Sequence, residues 1–374
     1  MNSKVVLLIT LTIFLISILV SVSNIPSVKA GTITVPDDYA TIQEAINHAS
    51  GGDAIYVRSG TYYENVVVNK TVLLIGESRE NTIIDARGTG KTLELTVDGV
   101  LVSNFTISYG EVGIHMTSSH KHTIRNNMIR KNTRGATGNF YTGTIYENNI
   151  VKENDYGLDF GHLSGPSSIN NTAENNEIYD NVVAGIYVSA ADGNNTIIGN
   201  DIHDNGIGIV LDHTQNNKIT INLIRNNNRA GGYMYGIYLR NAIQNIIKEN
   251  LFQGNIVGMH FENSNNNKIF HNNFISNAEH IDGASLNIWD DGYPSGGNHW
   301  NDYSGVDLKS GAYQNETGSD GIGDTSYNID VDNVDKYPLI QQYPVSEFLP
   351  SLILPLLMTA TLLAVIAYRR KHSM

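Results

Sequence analysis

Cysteine is absent from the 374 residues, so neither a disulfide nor a thiolate metal site can exist. Basic residues are scarce: 24 Lys and Arg stand against 37 Asp and Glu, a formal charge of −13. Nucleic acid is therefore excluded as a partner, because its capture needs clustered cations that displace counterions. Charged residues of both signs reach only 16%. Gly, at 35 residues, and Asn take their place. Both adopt left-handed backbone at little steric cost, which points to a fold with many turns.

Seven times between Asn127 and Asn277 the chain writes Asn-x-apolar-x-x-Asn. The copies are Asn127-Ile129-Asn132, Asn149-Val151-Asn154, Asn176-Ile178-Asn181, Asn200-Ile202-Asn205, Asn222-Ile224-Asn227, Asn250-Phe252-Asn255 and Asn272-Phe274-Asn277. First asparagines lie 22, 27, 24, 22, 28 and 22 residues apart, which describes one repeating unit with loop insertions. Stretches such as Gly185-Ile186-Tyr187-Val188 and Gly236-Ile237-Tyr238-Leu239 keep positions two and four apolar and vary position three. That is strand alternation with one buried face. Strands too short to fold alone must pair with their copies in the next coil, giving an all-β, right-handed parallel β-helix of about ten coils. Asparagines at a fixed turn position can form amide ladders, or can simply supply left-handed turn residues.

Thr41-Ile42-Gln43-Glu44 is a capping box, and Ile42, Ala45, Ile46 and Ala49 share one side of the helix it starts. Such a helix closes the open first coil. Lys4 and the apolar run Val5 to Val20, with Val28-Lys29-Ala30, predict a signal peptide. Leu349 to Tyr368 is long enough to span a bilayer, and Arg369, Arg370 and Lys371 after it place the tail in the cytoplasm. The expected organisation is a signal peptide at 1–30 and a β-helix with its helical cap at 31–285. An Asp-, Gly- and Tyr-rich cap follows at 286–343, then a linker at 344–348, a transmembrane helix at 349–368 and a tail at 369–374.

The run Gly51-Gly52-Asp53-Ala54-Ile55-Tyr56-Val57, Gly60-Thr61-Tyr62 and Glu64-Asn65-Val66 resembles the N-terminal cap of pectin-lyase-like β-helices. The Asn-x-Ile-x-x-Asn coils resemble NosD-type, carbohydrate-binding and sugar-hydrolysis (CASH) repeats. Gly297-Asn298-His299-Trp300-Asn301-Asp302-Tyr303-Ser304-Gly305, with Asp320-Gly321-Ile322-Gly323-Asp324 and Tyr337-Pro338-Leu339, resembles a C-terminal signature of archaeal surface proteins in that group. The resemblance implies a cell-surface protein. Its relatives assist copper-site maturation of nitrous oxide reductase, or bind or act on polysaccharide.

In the alternating stretches, outward residues stack coil on coil. One column reads His115, Asp159, Tyr187, Val210, Tyr238, His260, and its neighbour Thr117, Gly161, Ser189, Asp212, Arg240, Glu262. Asp159, Tyr187, Asp212, Tyr238, Arg240, His260 and Glu262 form a strip suited to a polysaccharide or glycan, or to a cell-envelope protein. Asp212 and Glu262, two coils apart, would stand about 9.6 Å from each other, at the edge of the separation an inverting hydrolase needs. They are the candidate catalytic pair, with a surface charge ladder as the plainer reading. A hydrolase, lyase or epimerase working on the Asp159–Glu262 flank is one alternative to a binding protein, and a NosD-type accessory protein for copper-site maturation is the other. Copper is not expected, for want of cysteine and of clustered His and Met. Among the acids of the C-terminal segment, Asp320 and Asp324 are candidates for Ca²⁺, or else turn caps, with Trp289, Trp300 and Tyr303 covering the last coil.

Overall fold

The computed structural model describes residues 31–161, 168–189, 193–229, 234–283 and 285–345. The signal-peptide and transmembrane expectations, at 1–30 and 349–368, lie outside the described residues. Among the described residues, no helix is long and apolar enough to cross a membrane.

Three sheets run the length of a parallel β-helix. Sheet I has eleven strands, from Thr32–Val35 to Lys268–Phe270. Sheet II also has eleven, from Gly60–Tyr62 to His299–Trp300. Sheet III has ten, from Val66–Val68 to Glu279–Asp282. The coil count therefore exceeds the expected ten by one. Every neighbour is parallel, and like pairs with like: Ile129, Val151, Ile178, Ile202, Ile224, Phe252 and Phe274 form one unbroken inward column. All seven are fully buried. A period-two strand offers one face per coil to the interior, and stacking makes the core continuous.

Asparagine ladders run along all three corners. Asn127, Asn149, Asn176, Asn200, Asn222, Asn250, Asn272 and Asn298 bond in series at the first. Asn132, Asn154, Asn181, Asn205, Asn227, Asn255 and Asn277 do so at the second. Asn171, Asn195, Asn217, Asn245, Asn267 and Asn287 line the third. Asn200 is representative. Its Oδ1 accepts the backbone N–H of Asn176 at 3.0 Å and the Asn176 amide at 2.9 Å, while its own amide donates to Asn222 Oδ1 at 2.9 Å and Ala173 O at 2.9 Å. These buried amides pair most turn groups, as a dry corner requires, with Asn171 Nδ2 the rung donor left without a partner. None of the rung asparagines has a positive φ. The left-handed residue is the one before the rung, as at Lys131, Glu153, Asn175 or Ile221, though not before Asn287 or Asn298. A preference for left-handed backbone therefore does not explain the rungs; their amides do.

A helix, Ile42–His48, starts from Thr41, whose Oγ1 accepts Glu44 N–H at 3.1 Å. Its next free donors, Ile42 N and Gln43 N, go to the Glu64 carboxylate at 3.0 Å each. Ile42, Ala45, Ile46 and Ala49 are buried against the opening strands.

At the far end, Phe252, Phe274, Trp300 and Tyr327 stack near-parallel at 4.9, 4.4 and 4.4 Å between ring centroids. Trp289 and Trp300 are buried as plugs, donating Nε1–H to Asn333 Oδ1 and Asp335 Oδ2 at 2.9 Å each. Several acids of this segment cap turns. Asp324 accepts Leu308 N–H at 3.1 Å and Lys309 N–H at 3.0 Å; Asp320 accepts Ile322 N–H at 3.1 Å and the Gln314 amide at 3.1 Å. Asp320 and Asp324 are the Ca²⁺ candidates of the sequence. Both carboxylates cap backbone, and no group of three or more metal-binding side chains converges among the described residues.

Candidate functional site

The outer face of sheet III brings the candidate strip together, with one coil added between those of His115 and Asp159. Tyr187, Val210, Tyr238, His260 and Asp282 follow one another as paired neighbours. Ser189, Asp212, Arg240 and Glu262 do the same beside them. A coil the sequence reading passed over, with Thr137 and Asn139 outward, stands next to His115 and Thr117.

A further column runs along the same face: Arg134, Tyr156, Ala184, Ile207, Tyr235, Val257. Strict alternation from Ile237 and Leu239 would send Tyr235 inward. The glycine after each member turns it out. A Cβ on Gly113, Gly157, Gly208 or Gly236 would lie 2.3 to 2.5 Å from the next coil's glycine carbonyl, so only glycine allows the coils this approach. Tyr156, Tyr187, Tyr235 and Tyr238 close over Ala184, Ile207 and Val210 in an apolar cluster outside the main core. Tyr156 meets Tyr187 edge-on at 5.6 Å, and Tyr235 stacks on His260 at 4.5 Å with 7° between planes. Tyrosines, with apolar rings and polar tips, are enriched at protein interfaces.

The charged residues among these rings are paired. Asp159 is not the open ligand-binding group expected: it is 2% exposed, bonded to Arg134 from the preceding coil. Arg134 in turn lies over the Tyr156 ring at 4.5 Å. Burial pushes the Asp159 carboxyl up to about 7 despite the guanidinium beside it.

Asp212 is 4% exposed. It accepts Arg240 Nε–H at 2.8 Å, Arg240 Nη2–H at 2.5 Å and Tyr187 O–H at 2.7 Å, with His213 Nδ1 at 2.6 Å. Burial alone would raise its pKa, but the bonds from Arg240, Tyr187 and His213 outweigh it and hold the carboxyl near 2.

Glu262 accepts the Tyr238 hydroxyl. Burial and that carboxylate push the Tyr238 phenol up to about 12, and burial with Asp212 raises Tyr187 as well. His260 Nδ1 lies 2.6 Å from Asp282 Oδ2.

This wiring bears on chemistry. Asp212 and Glu262 flank Arg240 in adjacent registers, as their spacing predicted. An inverting pair needs one protonated carboxyl and one ionised carboxylate; Asp212, held near 2, is not the protonated partner. The phenols stay protonated near neutrality and act as donors, not bases.

Copper finds no matching donors either. Met116 and Met259 point into the core, fully buried. His122 is buried against Ser119 Oγ at 3.0 Å and driven down to about 4 by burial, while His120 Nδ1 faces Thr142 Oγ1 at 3.2 Å. His271 stacks on Tyr343 at 4.1 Å, away from His260. With no cysteine and no convergent group of His, Asp and Glu among the described residues, the donor set does not fit copper.

The family described as periplasmic copper-binding protein (NosD) matches residues 46–233 and again 222–305. The chain is 30% identical over 333 residues to a cell surface glycoprotein of Methanothermus fervidus, covering 77% of this chain and 55% of that protein. It is 28% identical over 160 residues to a probable ABC transporter binding protein NosD of Stutzerimonas stutzeri, covering 40% of this chain and 34% of that one. The chain thus spans about half or less of these curated relatives. A solved mannuronan C-5 epimerase A-module of Azotobacter vinelandii is 17% identical, with 66% and 94% of the two chains covered and a TM-score of 0.43. The pectate lyase Pel9A is 15% identical, with 70% and 80% covered and a TM-score of 0.42.

Proposed function

The chain belongs to the NosD family of parallel β-helix proteins, and from that premise we propose that it is a cell-surface protein that binds glycan on the outer face of sheet III. The observation that supports this most is the cluster of Tyr156, Tyr187, Tyr235 and Tyr238 packed over Ala184, Ile207 and Val210, with His260 stacked on Tyr235. Sugar rings present apolar C–H faces to such rings and hydroxyls to the planar polar groups around them. The surface location is consistent with the archaeal cell surface glycoprotein that shares most of this chain. Export by a cleaved signal peptide and anchoring by residues 349–368 belong to the same reading.

Bond cleavage draws no support from the candidate pair, since Asp212 is buried and its oxygens are taken up by Arg240, Tyr187 and His213. Copper delivery lacks a donor set in the described residues. A glycan microarray probed with the full chain and with Tyr235→Ala tests the reading. Retention of at least one glycan class, weakened tenfold or more in the variant, is the expected result. Retention of none, or retention untouched by Tyr235→Ala, would remove it.

A further inference from the structure

Granted glycan binding at this face, we infer that its ligand is an uncharged glycan, and that uronic-acid and other carboxylated polymers are rejected. The ground is the charge inventory of the ten strands of sheet III. They contain three cations, Lys91, Arg134 and Arg240. All three are already bonded to carboxylates: Lys91 Nζ to Glu94 at 2.6 Å, Arg134 to Asp159, and Arg240 to Asp212 at 2.5 Å. Against them stand six acids: Glu94, Asp159, Asp212, Glu262, Glu279 and Asp282. The three histidines are engaged in the same way, His115 lying 3.8 Å from Glu94, His260 2.6 Å from Asp282 and His280 3.5 Å from Asp302.

A carboxylated sugar laid on Tyr235 and His260 would find no unspent cation within the sheet. It would have to break an existing Arg–Asp pair, stranding a buried carboxylate, or sit unpaired beside Glu262 and Asp282. Both routes are costly, because truncated or like-charge partners at a desolvated contact are penalised strongly. A neutral sugar meets neither penalty. Its hydroxyls can donate to the outer oxygens of Glu262 and Asp282 and accept from the exposed edge of Arg240, whose side chain is 41% exposed. Asp159 and Asp212 are sealed in ion pairs, while Glu262 also accepts the Tyr238 hydroxyl and Asp282 faces His260.

Affinity electrophoresis of the full chain separates the cases, using gels cast with xylan, mannan or mixed-linkage β-glucan, with alginate or polygalacturonate, and with chitosan. Each gel carries wild type, Tyr235→Ala and Tyr235→Phe, matched for melting temperature. The expected result is retardation by at least one neutral polymer, reduced tenfold or more by Tyr235→Ala and little by Tyr235→Phe. That retardation should change less than twofold between 50 and 500 mM NaCl. Retardation by a polyuronate or chitosan that matches the neutral polymers and is lost in Tyr235→Ala would overturn this specificity while leaving glycan binding intact. Retardation by no polymer at all would overturn glycan binding, and the specificity with it.

Discussion

Asp335 Oδ2 accepts the backbone N–H of Asn298 at 2.8 Å, the place an asparagine oxygen of a further coil would take. The same oxygen takes Trp300 Nε1–H at 2.9 Å, and Oδ1 takes Tyr337 N–H at 3.1 Å. Asn333 does likewise at a second corner, accepting Asn287 N–H at 3.1 Å and Trp289 Nε1–H at 2.9 Å. The C-terminal segment therefore ends two ladders by imitating their next rung.

Removing that imitation should loosen the end of the solenoid. Asp335→Ala strands the Asn298 and Trp300 donors, at about 1–3 kcal/mol each. Thermal melting followed by tryptophan fluorescence, which reads Trp289 and Trp300 at this end, should fall before the melting read by circular dichroism. A single coincident transition at the wild-type temperature would contradict the assignment.

The pH dependence follows from two buried acids. Burial raises Asp159 and Asp335 to about 7, above their unfolded value of 3.8. Both sites bind more protons folded than unfolded, so their contribution is full below about 4 and is lost as pH rises through about 7. Melting temperature should be higher at pH 5 than at pH 8, and Asp335→Asn should shrink the difference. A melting temperature that climbs from pH 5 to pH 8 would contradict the two shifts.

Asp212 acts in the opposite direction. Held near 2 against an unfolded value of 3.8, it adds stability above about 4 that is lost as pH falls toward 2. Arg240→Met should cost about 1–2 kcal/mol near neutral pH, less than a fully buried pair, because the Arg240 side chain is 41% exposed. Acid unfolding of the variant should be shallower between pH 4 and 2; an unchanged acid limb would show that Arg240 does not hold Asp212.

The ladder and the turn make separable demands on asparagine. Asn200→Gly removes a rung and orphans the Asn176 backbone N–H and the Ala173 carbonyl, for about 3 kcal/mol in all. Asn175→Gly, at a φ of 54° with no amide rung, should change stability by under about 0.5 kcal/mol. Equal effects in chemical denaturation would mean that both asparagines serve only the turn.

Close approach at the cap gives another contrast. A Cβ on Gly297 would stand 1.9 Å from Asp335 Oδ1, whereas one on Gly51 meets nothing within 4 Å. Gly297→Ala should unseat the cap, lowering the tryptophan-detected melt as Asp335→Ala does. Gly51→Ala should leave it within a degree or two.

The coil architecture was legible because one short phrase repeats, and its apolar residue at a fixed offset gives the inward column ending at Phe274. The third ladder was legible in principle. The same phrase stands five residues upstream, as in Asn217-Ile219-Asn222 before Asn222-Ile224-Asn227, and only its second half was read. The coil of Thr137 escaped notice because Gly138 replaces the apolar residue at position four. Its missing side chain makes room for Tyr141, whose ring a Cβ would meet at 2.8 Å. Tyr235 and Arg134 were hidden for a different reason. Alternation assigns them inward, and only the backbone kink at the following glycine brings them to the outer face. Burial of Asp159 depends on that hidden Arg134, so no reading of its own strand could have found it.

A structure of the chain determined with a neutral oligosaccharide bound tests the central claim most directly. The account predicts a sugar ring lying over Tyr235 or Tyr238, with its hydroxyls at Glu262 or Arg240. A sugar seated instead on sheet I, on sheet II or on the C-terminal cap, with the sheet III rings bare, would contradict it.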